Sequence, residues 1–160
     1  MTDVLITYGW VRSSYGALRN LSKHDISVAV SDSSGVGMCQ FSRFSKSFEK
    51  YTSHYTNEAK FIADILKICS DHNIKMILPS HNETEIIARH REKFDSKLVS
   101  MIPDKEHCRI FNDKSASYDF VSKLGVPVAE RVYYSDPRDV SRILKDSGIE
   151  KTVIKLRTGN

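Results

Sequence analysis

Apolar and polar residues alternate along this chain in blocks. Val4-Leu5-Ile6 is a short continuous apolar run that predicts a strand over 3–8, punctuated by Gly9. Val11, Tyr15, Leu18 and Leu21 then recur at helical spacing and predict an amphipathic helix. A second apolar run predicts a strand over 26–30 that ends at Ser31-Asp32. Ser33-Ser34-Gly35-Val36-Gly37 reads as a loop. Weak alternation over 48–55 predicts an edge strand. Asn57 caps a helix whose stripe is Phe61, Ile62, Ile65, Leu66 and Cys69. A strand over 74–78 stopped by Pro79, a helix over 83–94 and a strand over 98–102 complete this part. Nearly continuous apolar strands alternating with such helices predict a parallel sheet covered on both faces.

The pattern changes after Pro103. Helices are expected over 104–111 and 114–124, and Gly125-Val126-Pro127 ends the second. A strand over 131–134, a helix opened by Pro137 and a strand over 151–157 follow. This sets a boundary near residues 103–112, with one domain over 1–105 and the start of another over 106–160. The last stretch of about 50 residues is too short to close a core of its own, so the chain is expected to be the front of something longer.

The 160 residues carry 24 Lys+Arg against 20 Asp+Glu, a balance of +4 too small and too dispersed to argue for nucleic acid. At 40% apolar and 28% charged the chain is a folded, not a disordered, one. Cys39, Cys69 and Cys108 form no CxxC pair, which predicts reduced structural thiols in a cytoplasmic protein. No apolar run approaches the roughly 18 residues of a membrane span. Met1 leads straight into a polar residue and a strand, so no signal peptide is expected.

Ligands of open α/β sheets bind outside the carboxyl ends of the strands, beside helix N-termini. Gly9 to Gly16 occupies such a junction, and Arg12 offers charge there for a carboxylate or phosphate. Asp32 sits where a dinucleotide fold would hold the ribose, but the glycines are seven apart and GxGxxG is absent. Pro79-Ser80-His81-Asn82-Glu83-Thr84-Glu85 lies at another strand end. A capping box from Asn82 to Glu85 explains part of that run, and leaves His81 and Glu83 as candidates for function. His90-Arg91-Glu92-Lys93 reads as a solvated helix end, and Tyr51, Tyr55 and Phe61 as packing aromatics. The six His show no HxxxH or HxH spacing, and no GxSxG is present, so neither a metal site nor a catalytic nucleophile is assigned. Lys114 opens a helix just past the boundary. Lys155 interrupts an apolar strand, which is costly unless it meets an anion or water.

Taken together, these pieces resemble the beginning of an ATP-grasp enzyme, of the type related to the large chain of carbamoyl-phosphate synthase and to biotin carboxylase. The pieces are 11–18, 28–33, 39–45, 77–84 and 88–91, then Asn112-Asp113-Lys114, 124–128 and Val153-Ile154-Lys155. The resemblance implies a Rossmann-like pre-ATP-grasp domain followed by an incomplete α+β ATP-grasp N-lobe. It implies that Lys114 and Lys155 meet ATP phosphates or lie beside the adenine. It implies that Arg12, Glu83 and His81 serve a small-molecule carboxylate substrate. Near Glu83 the family has two adjacent acids, and here the first is Asn82.

The intact enzyme would use ATP and magnesium to convert a carboxylate to an acyl phosphate, which an amine or other nucleophile then takes up. The glycine-rich loop, the second lobe and its magnesium-binding acids are missing from these residues. The resemblance therefore implies a ligase fragment without turnover of its own, and allows a homodimer. The rival reading is a stand-alone Rossmann-like binding or regulatory module without catalysis. A nicotinamide-dependent enzyme is a third reading, disfavoured by the missing glycines.

Overall fold

The computed structural model describes residues 2–132, 134, 136–148, 153, 155, 157 and 158. It separates into two compact units, Met1–Cys108 and Arg109–Asn160.

The first unit is built on strands β1 (Val4–Ile6), β2 (Val28–Asp32), β3 (Ser47–Lys50) and β4 (Met76–Leu78). They form one sheet in the order β3-β2-β1-β4, every pair parallel. Helices α1 (Arg12–Lys23), α2 (Glu58–Asp71) and α3 (Glu83–Arg89) connect or follow them. Successive side chains of a strand point to opposite faces, and the apolar runs divide accordingly. Leu5, Ala29 and Ile77 join Phe61, Ile62 and Ile65 of α2 and Ile87 of α3 in one core. Val4, Ile6, Val28 and Val30 join Leu18 of α1 and Cys39 in the other. Both faces are therefore covered, and the runs had to be apolar throughout rather than alternating.

α2 begins where Asn57 sits in extended conformation and accepts the Lys60 N–H at 2.9 Å, with Glu58 in the first turn. A side-chain cap of this kind contributes about 1 kcal/mol. Asn57→Ala should lower the stability by about that amount, read in equilibrium unfolding as a lower urea midpoint at unchanged m-value.

Three expectations for the first unit are corrected. The edge strand ends at Lys50, because Thr52 N–H turns away to Asp64 Oδ2 at 2.8 Å. The helix over 83–94 stops at Arg89 and resumes as a single 3₁₀ turn, Arg91–Lys93. Residues 98–102 form turns, not a strand. Local bonds from Leu98 N to Asp95 O and from Ile102 N to Val99 O use up the backbone, and one bond from Ile77 N to Leu98 O reaches the sheet. The side chains of Val99 and Ile102 are buried in the core all the same, so the apolar pattern there reports burial rather than extension.

The three cysteines are buried and unpaired. Burial, followed for Cys39 by the nearby Asp32 charge, pushes the thiols of Cys39 and Cys69 up to about 11 and about 12, which makes them inert.

α4 (Lys105–Asn112) runs across the boundary and buries Cys108 in the first core. The second unit holds α5 (Lys114–Lys123) and α6 (Val140–Asp146), the latter preceded by a 3₁₀ turn over Pro137–Asp139. Neither α5 nor α6 buries a residue completely. The strands expected over 131–134 and 151–157 do not appear among the described residues there. Tyr133, Lys151, Thr152, Ile154 and Leu156 lie outside the described residues.

Candidate functional site

From β1 the chain steps outward to β2 and β3, then returns to place β4 on the other side of β1. The carboxyl ends of β1 and β4 are thus the point where the winding reverses, the usual position of a ligand crevice in such a sheet. Every strand delivers polar side chains to this edge. Thr7 and Tyr8 follow β1, Asp32 ends β2, Tyr51 follows β3, and Ser80 to Glu83 follow β4.

Ser14, buried in the first turn of α1, fastens together the segments that follow β1 and β4. Its hydroxyl donates to Tyr8 O at 2.8 Å and lies 3.0 Å from Ser80 Oγ. Ser80 N–H in turn donates to Thr7 Oγ1 at 3.4 Å. Gly9 is forced to be glycine by packing, since a Cβ there would stand 2.5 Å from Val30 Cγ1.

Glu83 opens α3 and is only 2% exposed. Tyr51 Oη donates to its Oε1, and Tyr8 N–H donates to Tyr51 Oη at 3.2 Å. Oε2 has no hydrogen bond of ordinary geometry. Burial pushes the carboxyl up to about 7. The Thr7 and Tyr51 side chains pull it partly back, and the Asp32 charge adds to the rise. The Tyr51 hydroxyl is likewise pushed far above its ordinary value, by burial and then by Glu83.

His81 is exposed with φ +59, and Tyr8 has φ +54. Their rings stack at 5.2 Å and 25° across the ends of β1 and β4. Two bulky residues in the left-handed region, facing one another at a strand end, are a local strain that neighbours must hold in place. Arg12 is exposed at the first position of α1, a helix whose start has no side-chain cap. Arg12, His81 and Glu83 are therefore brought to one edge of one sheet.

Lys114 and Lys155 belong to the second unit, and both are exposed. Asp113 caps α5 through Ser115 N and Ala116 N at 2.8 and 3.0 Å. Its other oxygen accepts Arg157 Nε at 2.7 Å, and Lys114 N–H donates to Arg157 O at 2.9 Å. The segments bearing the two lysines are thus tied together.

Other expectations for this edge are corrected. Asp32 Oδ2 accepts Trp10 N–H at 3.0 Å, and Oδ1 accepts the Ser34 amide and hydroxyl at 2.8 and 2.7 Å. At 2% exposure it braces two loops. The capping box does not form. Asn82 already has helical angles, and its Nδ2 donates to Tyr55 Oη at 2.8 Å. Tyr51 is more than a packing aromatic, since its hydroxyl holds Glu83. The available signal was its place, directly after a parallel strand. His90 is tied to Glu58 at 2.7 Å rather than merely solvated.

No protein-family model matches the sequence, and no curated protein matches it in sequence. Solved structures do match in fold. The biotin carboxylase domain of a single-chain bacterial carboxylase has a TM-score of 0.61 at 17% identity, over 92% of this chain and 35% of that one. The biotin carboxylase domain dimer of Hydrogenobacter thermophilus 2-oxoglutarate carboxylase, solved with MgADP, ADP and bicarbonate, has a TM-score of 0.58. It is 15% identical over 91% of this chain and 33% of that one. An L-amino acid ligase from Bacillus licheniformis has a TM-score of 0.62 at 7% identity, over 92% of this chain and 42% of that one. The chain thus shares its fold with part of biotin carboxylase domains and of an L-amino acid ligase, as the residues led one to expect. The chain spans between a third and a little over two fifths of the length of these proteins.

Proposed function

We propose that this chain is the N-terminal portion of an ATP-dependent ligase of the ATP-grasp type, in which a carboxylate is activated as an acyl phosphate. The first unit acts as the pre-ATP-grasp domain and the second as the beginning of the ATP-grasp lobe. The observation that carries this reading is the fold likeness over more than nine tenths of the chain, joined to a polar strand edge at the winding reversal. At that edge Arg12 and the uncapped start of α1 suit the substrate carboxylate. His81 lines the same edge, and Glu83 acts from beneath through Tyr51.

The exposed cations Lys114 and Lys155, held on neighbouring segments, fit the phosphates of ATP. Bound MgADP in one structural neighbour supports that assignment. In the intact enzyme magnesium would accompany the nucleotide, as it does in that neighbour. On this reading the chain alone binds nucleotide without turning over. The dimeric neighbour supports self-association here. Among the described residues no helix is long and apolar enough to cross a membrane.

Calorimetric titration of this chain with ATP tests the reading. Binding should weaken about tenfold or more for Lys114→Ala and again for Lys155→Ala, since each removes a charged contact. Unchanged affinity in both variants would remove the nucleotide assignment, and ATP-dependent ligase turnover by this chain would remove the claim that it is inactive alone.

A further inference from the structure

The edge of the sheet closes on itself through a circuit of four residues. Glu83 Oε1 accepts from Tyr51 Oη, Tyr51 Oη accepts from Tyr8 N–H, the Tyr8 ring stacks on His81, and His81 precedes Glu83 by two residues. The circuit holds two left-handed non-glycine residues in place, so breaking any link gives both backbones a reason to relax. Glu83 is its weak point. A carboxylate wants donors on both oxygens, and Oε2 is buried without one. The groups that bear on it are Tyr51 after β3, Thr7 and Tyr8 after β1, and the carboxyl of Asp32 at the end of β2, a charge of the same sign.

We propose that Glu83 is a proton-operated latch on this edge: protonated, it closes the circuit and keeps Tyr8 and His81 stacked; ionised, it swings out to water with the 79–83 segment and parts the rings. Protonation turns Oε2 from an acceptor without a donor into an O–H donor, with the Thr7 side chain beside it. Ionisation leaves a buried charge beside a second carboxylate, which favours moving out. The raised carboxyl places the change near pH 7. The latch concerns how the edge opens, and it stands independently of the ligase reading.

The sole tryptophan, Trp10, is 59% exposed at this edge and anchored to Asp32 through its backbone N–H, which makes its fluorescence a local reporter. Titrated between about pH 5 and about pH 9, the native chain should give one transition with a midpoint near 7. Glu83→Gln should abolish it. A flat signal in the native chain, or a transition that survives Glu83→Gln, overturns the latch. Should Glu83→Gln fail to fold by circular dichroism, carbon NMR of the native chain decides. The Glu83 carboxyl and the Tyr8 ring must then shift with one common midpoint, and separate midpoints overturn it.

Discussion

Glu83→Gln will stabilise the first unit above neutral pH and flatten its dependence on pH. In the folded chain the carboxyl is raised from 4.5 to about 7, with burial as the main cause. The folded state therefore binds the Glu83 proton more tightly than the unfolded one. Stability falls as pH rises through that interval and stays low above it. The interval corresponds to about 3 kcal/mol at pH 8, a large share of a domain's typical total of about 5–15 kcal/mol. Glutamine keeps the acceptor for Tyr51 and never ionises. Its buried amide adds a cost that does not vary with pH.

His54, whose imidazole is depressed by burial, contributes the opposite slope below about pH 6.5, and Asp3, depressed by Lys75 and Ser27, acts only in acid. Both are common to the two chains, so the difference between native and variant isolates Glu83. Urea unfolding followed by Trp10 fluorescence at several pH values measures it. A stability difference that is constant from about pH 5 to about pH 8 would rule out the buried, raised carboxyl.

Much of the first unit could be read from the sequence, because each strand and helix there announces itself locally. Val4-Leu5-Ile6 needs no distant partner to look like a buried strand, and Asn57 caps its helix through a bond three residues away. The Glu83 arrangement could not be read in the same way. Glu83 and Tyr51 stand 32 residues apart, and only the strand order β3-β2-β1-β4 brings their ends to one edge. Sequence pointed to Glu83 because it sits at a strand end, and missed Tyr51 because its ring also packs. Asn82 misled for a physical reason: a good capping residue is spent on Tyr55 when its own backbone is already helical. In the second unit neither α5 nor α6 buries a side chain completely, and much of the strand expected over 151–157 lies outside the described residues.

The largest loss of stability should follow Phe61→Ala. Phe61 is fully buried on α2, with its ring edge-on to Tyr51 at 5.2 Å and to His54 at 5.7 Å. Truncating a buried phenylalanine costs about 3–5 kcal/mol, partly in transfer energy and partly in the cavity left behind. Chemical denaturation should show that loss as a lower midpoint, and a loss below about 1 kcal/mol would mean that α2 is not anchored through this ring. The site should feel the change as well. Tyr51 is gripped between Phe61 and Glu83, so a cavity at Phe61 lets the tyrosine ring move and admits water toward the carboxyl. The Glu83 carboxyl should then fall from about 7 toward its ordinary 4.5, and the stability slope across neutral pH should shrink with it. Phe61→Leu retains more of the packing and should preserve more of that slope. The two variants thus separate a core that merely supports the sheet from one that sets the chemistry at its edge.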